Sequence, residues 1–200
     1  MTGKALHERT AIKYRGAMAS NYEAKRKKQL RWHQENKIVT DMLSALPPGS
    51  VLDAPVGTGR FLPLYKKLKL TGLGIDTSVE MLKQARRKSG ADRLTLRIGN
   101  LLLDNLPSAQ TAVCVRFLDL IDEPAMQISM IQLMQTATQN IILTIRLGGR
   151  YILKSNTATH DRRKFMQLIA KRGWQVAEDI PIFTQGWHVL RLEKVKRNGR

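Results

Sequence analysis

The stretch Val51-Leu52-Asp53-Ala54-Pro55-Val56-Gly57-Thr58-Gly59-Arg60-Phe61 constrains the fold of this chain more than any other. An apolar run ending in an acid, a tight turn holding two glycines and an amphipathic run read as strand, loop and helix. Gly57 and Gly59 admit backbone conformations closed to other residues and let a ligand approach the main chain closely. A helix opening after Gly59 directs unpaired N–H groups and its positive dipole end at whatever sits in the loop.

A second acid follows. Thr71-Gly72-Leu73-Gly74-Ile75-Asp76 is a short apolar strand whose terminal acid lies 23 residues past Asp53. That is close to the spacing of about 20 at which an acid meets ribose hydroxyls in dinucleotide-binding folds. The two acids describe a ribose-bearing ligand lying across two strand ends. Two nucleotide signatures are absent. Leu62 stands where the dinucleotide fingerprint has its third glycine, and Arg60-Phe61 follow Gly59 where a phosphate loop has Lys-Ser/Thr. A ligand without phosphate is favoured.

The segment resembles the S-adenosylmethionine site of the class I (Rossmann-like) methyltransferases, whose first motif is acid-x-Gly-x-Gly-x-Gly. Here it reads Asp53-Ala54-Pro55-Val56-Gly57-Thr58-Gly59, with Pro55 in the first glycine's place and therefore one backbone N–H fewer. The second motif is matched by Gly74-Ile75-Asp76-Thr77-Ser78-Val79-Glu80-Met81-Leu82. The third, usually Gly-Asp and then Leu-Pro, is matched by Gly99-Asn100 and Leu106-Pro107. The resemblance covers residues 50 to 147 and implies a cofactor site. Asp76 would take the ribose hydroxyls, followed by Thr77, and the turn from Asp53 through Pro55, Gly57 and Gly59 would pack on the methionine and ribose portion. Met81 and Leu101 would flank the adenine ring, and Asn100 would accept from its amine. Arg116 is placed beside them.

Two hundred residues fit one domain with a sizeable core. Alternating strand-like and helix-like runs argue an α/β sheet covered by helices on both faces. The plan expected is a single Rossmann-like unit over residues 1–200. It comprises a loose arm at 1–20, a basic helical segment at 21–46 and a core at 50–195. The sheet is seven-stranded and mostly parallel, closed by an antiparallel C-terminal hairpin. One cysteine, Cys114, in an apolar run reads as a buried thiol and fits a reducing compartment. No membrane-spanning stretch, signal-peptide core or zinc-type spacing is seen, so a cytoplasmic, metal-free protein is expected.

Charge is the strongest compositional signal: 34 basic against 16 acidic residues, net +18. Residues 1–50 hold 10 basic and 4 acidic residues, residues 51–145 hold 11 and 8, and residues 146–200 hold 13 and 4. The flanks carry the excess. Such a field attracts polyanions, so a nucleic acid, RNA in particular, enters as a partner alongside the plainer reading of solubility.

Asn21 reads as the N-cap of a helix reaching about Leu46, broken at most once and stopped by Pro47-Pro48-Gly49. Its cluster Lys25, Arg26, Lys27, Lys28 and Arg31 reads as a solvated face or a backbone-binding patch, with Trp32 and His33 available for stacking. The resemblance adds an aromatic over the cofactor, for which Tyr22 stands ahead of Tyr14, and Tyr22 and Arg26 are the substrate candidates in this segment. Further on, Arg60–Lys69 and a Ser78-capped run are helical, and Arg93–Ile98 and Thr111–Val115 are strands. Glu123–Thr138 is a helix with a Met126, Met130, Met134 core stripe. A fifth strand over Asn140–Leu147, a helix over Asp161–Arg172 and strands over Trp174–Phe183 and Trp187–Val195 complete the plan.

Ligands gather at the carboxyl ends of strands in open α/β sheets, which makes Arg116 and Asp119 the candidates for catalysis or acceptor binding. A salt bridge between them or a helix cap is the alternative. The Asn/Asp-Pro-Pro-aromatic sequence of amino-directed nucleic-acid methyltransferases is absent here, as is a nucleophilic cysteine. Direct in-line methyl transfer needs positioning above all. The functions open to the sequence are therefore a methyltransferase, another S-adenosylmethionine enzyme such as one that cleaves it, and a basic nucleic-acid-binding protein that retains the fold without catalysis.

Overall fold

The computed structural model describes residues 23, 25–154, 157–182 and 186–196. Tyr14, the Asn21 cap and Tyr22 lie outside the described residues.

Helix α1 spans Leu30–Ser44 and is followed by β1 (Ser50–Asp53), α2 (Leu62–Lys67), β2 (Thr71–Asp76), α3 (Val79–Ala85) and β3 (Leu94–Ile98). The second half holds β4 (Ala109–Cys114), a 3₁₀ turn (Leu118–Leu120), α4 (Glu123–Thr136) and β5 (Ala137–Gly148). Then come β6 (Ile152–Leu153), β7 (Ala158–Asp161), α5 (Arg162–Ala170), β8 (Trp174–Pro181) and β9 (Trp187–Lys194). Strands β3, β2, β1, β4 and β5 lie side by side and parallel. Strand β9 pairs antiparallel with β5, and β8 antiparallel with β9. This is the mostly parallel seven-strand order with its closing hairpin that the sequence predicts.

The sheet holds two strands beyond that plan. The end of β5 runs on to pair with β7 at Leu147–His160 and Gly148–Asp161, and β6 folds back on β7. A two-residue strand carries no periodicity to read.

Strand alternation divides the core in two. Leu52 of β1 with Ile141, Leu143 and Ile145 of β5 pack against Met126, Met130 and Met134 of α4 and Phe165 and Ile169 of α5. Val51 and Ile142 face the other way, against Val39, Met42 and Leu43 of α1 and Leu62 and Tyr65 of α2. The methionine stripe is core, as its i, i+4, i+8 spacing predicts, and Cys114 is a buried free thiol whose titration burial pushes up.

The first helical segment is broken once, as the sequence allows, whereas α2 begins later than predicted. Residues 25–27 are helical, but Gln29 is extended and α1 starts at Leu30. Residues 57–61 form turns before α2, which opens with Pro63 in its first positions. Ser78 caps α3 as expected, and Asp161, read from sequence as the first residue of a helix, is instead the cap of α5. Ser78 Oγ accepts from the Met81 N–H, and Asp161 accepts from Lys164. No helix among the described residues is long and apolar enough to cross a membrane.

Candidate functional site

The carboxyl ends of β1, β2 and β4 open into a cleft of about 340 Å³. Its walls include Asp53, Pro55, Gly57, Asp76, Thr77, Met81, Asn100, Leu101 and Arg116. Nearly every cofactor-binding residue expected from sequence therefore meets in one place. Gly59 stands behind the wall. A Cβ there would lie 2.4 Å from Leu62 Cδ1 and 3.0 Å from the Ala85 backbone, so its role is to let α3 approach the turn. Both glycines have a positive φ, +56° at Gly57 and +76° at Gly59, but at Gly57 a Cβ would meet open space, so the wall it leaves faces the cleft.

Asp76 is the best-organised group in the cleft. It is 8% exposed, accepts the Gly57 N–H on Oδ2 at 3.0 Å and the Ser78 N–H on Oδ1 at 2.8 Å. The Thr77 backbone N–H also favours the ionised form; a carboxylate has roughly four lone-pair sites, so acceptor capacity remains for a ligand. Burial pushes its carboxyl up to about 6, against the pull of those backbone donors. Asp53 lies deeper. Tyr65 Oη donates to its Oδ2 at 2.9 Å, and burial outweighs that bond and lifts the carboxyl to about 7. Asn100 uses Oδ1 to accept the Leu102 N–H at 2.9 Å, which leaves one lone pair of that carbonyl for an adenine amine. Met81 and Leu101 are both buried apolar walls.

The remaining predicted residues separate. Arg116 lines the cleft with a left-handed backbone (φ +64°), its N–H donated to Thr144 Oγ1 at 2.7 Å. Asp119, in the Leu118–Leu120 turn, is 2% exposed, lies outside the cleft lining and leaves Oδ1 without a hydrogen bond among the described residues. Burial raises its carboxyl to about 6, opposed by the Arg116 charge. His160 of β7 pins that turn through a 2.7 Å hydrogen bond from Nε2 to the Leu118 carbonyl. Arg26 bonds Gln29 and is not in the cleft lining. Arg31 departs from the solvated face that sequence gave it, because it is half-buried over the Trp187 ring at 4.4 Å. Nor is Trp32 a bare stacking platform: the Arg60 guanidinium covers its ring at 4.5 Å.

The residues that sequence reading missed are Glu35 and Arg60. Glu35, on α1, is fully buried and ion-paired to Arg60 Nη1 through Oε1. Its Oε2 lies 3.6 Å from Arg116 Nη1, an ion pair too long for a hydrogen bond. Arg60 also bonds Asn36 Oδ1 at 3.0 Å and the Trp32 carbonyl at 2.8 Å. One carboxylate thus ties α1 to the glycine turn and to the end of β4. No local signal marked Glu35, since α1 also carries the acid Asp41, which is exposed.

No protein-family model matches the chain, and no curated protein matches its sequence. Solved structures do match its fold. The magnesium protoporphyrin IX methyltransferase ChlM from Synechocystis PCC 6803, with bound SAH, superimposes with a TM-score of 0.77 at 16% identity, covering 93% of this chain and 99% of that one. The DhpI–SAH complex matches with a TM-score of 0.74 at 16% identity, over 98% and 100% of the two chains. The 1,6-didemethyltoxoflavin-N1-methyltransferase of Burkholderia thailandensis, with bound 1,6-didemethyltoxoflavin and S-adenosylhomocysteine, gives 0.70 at 16% identity, over 98% and 93%. With the parallel order β3-β2-β1-β4-β5, the antiparallel hairpin beyond it and the cleft at the strand ends, the chain has the class I (Rossmann-like) methyltransferase fold.

Proposed function

We propose that the chain is an S-adenosylmethionine-dependent methyltransferase that transfers the methyl group directly to an anionic acceptor. The observation that carries this reading is Asp76. It is a carboxylate at the end of β2, held by backbone donors from Gly57, Thr77 and Ser78, with acceptor capacity left over and the open space beside Gly57 adjoining it. The fit to the cofactor is supported from both ends. Asp76 suits a ribose, and the walls at Met81 and Leu101 suit a flat apolar base. Solved structures of this fold with SAM or SAH bound support the same ligand.

When bound, S-adenosylmethionine supplies a methyl group on a sulfonium, an excellent leaving group. The task left to the chain is alignment and exclusion of water. Asp76 would fix the ribose and the Gly57 turn the methionine portion, while the buried apolar walls keep water from the cleft. The acceptor would enter beside Arg116, whose charge favours an anion.

A titration of the protein with S-adenosylmethionine tests the reading. Wild type is expected to bind, and Asp76→Asn to bind roughly 10- to 100-fold more weakly, the worth of hydrogen bonds to one ionised group. Absence of binding to wild type would remove the enzyme reading. A nucleic-acid acceptor is a second version of the proposal, favoured by the exposed Lys25, Lys27 and Lys28 ahead of α1 and the net charge of +18.

A further inference from the structure

Val115, Arg116 and Phe117 are consecutive, and all three line the cleft. A regular strand does not allow this, because successive side chains leave it on opposite faces. The break lies at Arg116. Its φ is +64°, a left-handed conformation uncommon outside glycine, and Thr144 Oγ1 accepts its N–H at 2.7 Å. Residues held in such conformations persist where their surroundings over-determine them, and they cluster at binding sites. Here the kink brings an apolar, a basic and a second apolar residue to one space.

The two apolar residues are fixed from behind. Val115 packs against the half of the core that holds Val51, Phe61 and Ile142, and Phe117 against the half that holds Leu52, Leu118 and Ile141. Each is nevertheless only half-buried, so each keeps apolar surface for the cleft. Phe61, 4% exposed, lines the same cleft and extends the wall on the Val115 side.

The cofactor assignment leaves this end of the cleft to the acceptor. Asn100 and Leu101 follow β3, Asp76 ends β2 and the Gly57 turn follows β1, so adenine, ribose and methionine portion would take three neighbouring strand ends in turn. The next strand in that order is β4, and past its end stand Val115, Arg116 and Phe117. The basic residues among the described lining are Arg60 and Arg116, and Glu35 is ion-paired to both. A nucleic-acid chain is tracked by a continuous basic groove. Two arginines that share one carboxylate do not make such a groove.

We propose that the acceptor is a small molecule with an apolar body, seated on Val115 and Phe117 at the end of β4. The inference rests on the methyltransferase reading and names the part of the acceptor that Arg116 does not take. Small-molecule sites combine apolar walls with a few polar groups that fix orientation. An aromatic ring such as Phe117 gains further from stacking on a flat body. Selection then follows the apolar area removed from water, which a charge alone does not supply.

The test uses the full chain and probes that share one carboxylate and differ in apolar size: acetate, butyrate, hexanoate, benzoate and 2-naphthoate. S-adenosylhomocysteine is titrated first, and each probe is then titrated into the loaded protein. Affinity is expected to rise about tenfold from butyrate to hexanoate, at roughly fourfold per buried CH₂, and to rise again from benzoate to 2-naphthoate. Phe117→Ala and Val115→Thr should each flatten that rise, and Phe117→Leu should keep more of it than Phe117→Ala. The first titration also reports whether each variant retains its fold and cleft. Should Phe117→Ala fail to fold, Val115→Thr, which keeps the side-chain shape, and the wild-type series decide. Affinity that does not rise with apolar size, no binding of any acid, or a rise unchanged in the folded variants would overturn the proposal. So would Phe117-dependent binding of a uridine oligonucleotide in place of every acid. Failure to bind S-adenosylhomocysteine would instead remove the methyltransferase reading, and the rise with apolar size on the unloaded protein would still be read separately.

Discussion

Asp76 shows how a single buried carboxyl links ligand binding to pH. Burial raises its folded-state value from 3.8 to about 6. Between those values the folded state binds more protons than the unfolded one, so this group's contribution to stability falls as pH rises through that window and levels off above it. Donors favour the ionised form. Hydroxyl groups arriving from a ribose should therefore pull the value down again, and ligand binding near pH 6 should release a proton. Calorimetry of S-adenosylhomocysteine at pH 6 in two buffers of different ionisation enthalpy measures that release directly. It should be present in wild type and absent in Asp76→Asn, with affinity falling as pH drops below about 6. Asp53, raised to about 7, titrates nearby, which is why the difference between wild type and variant is the quantity to read. Equal proton release in both would move the ribose partner away from Asp76. Asp76 and Gly57 were legible in sequence because a strand end, a turn and an acid are local features with fixed spacing. Asp119 was legible only as a position: the chain places it after β4, but its burial behind the wall depends on His160 and the Leu118–Leu120 turn, which no local pattern encodes.

Helix α1 illustrates why the rest of the site was not legible. It carries two acids whose ion pairs are of opposite character, and sequence offers no way to rank them. Lys37 and Asp41 pair at 2.6 Å with both side chains largely exposed. Glu35 has no exposure at all and bridges to Arg60, 25 residues away, as well as to Arg116. Spacing within a helix cannot reveal partners that come from the glycine turn and the end of β4. The energetic contrast should be large. Glu35→Ala leaves two mostly buried guanidinium groups without their shared counter-ion and should cost about 3–5 kcal/mol of stability. Lys37→Ala should cost less than about 0.5 kcal/mol, as exposed pairs do. Urea unfolding of both variants measures the difference, and similar small losses would mean that α1 is held by Val39, Met42 and Leu43 alone. The same dependence on distant partners explains the short β6–β7 ribbon, which exists because β5 outruns β9 and leaves Leu147 and Gly148 to pair elsewhere.

Across the whole molecule, two populations of positive charge have to be told apart. Arg31, Arg116 and Arg146 lie around the buried Trp187 ring, whereas Lys25, Lys27 and Lys28 are exposed ahead of α1, where Glu23 pairs with Lys27 at 3.0 Å and with Lys88. Exposed lysines answer to any polyanion, through counterions that the polymer releases on binding. If the net charge of +18 serves a nucleic-acid partner, poly(U) should bind at low salt, with the logarithm of affinity falling linearly with that of salt concentration. Replacing Lys25, Lys27 and Lys28 by glutamine should then reduce that slope by about 2, the share of three single-strand phosphate contacts. Arg31→Gln should leave the slope nearly unchanged, because its side chain faces Trp187. A slope insensitive to the three lysines would place the polyanion-binding charge in the C-terminal third, where 13 basic residues meet 4 acidic ones. No binding of poly(U) even at low salt would leave the surface charge with solubility as its role.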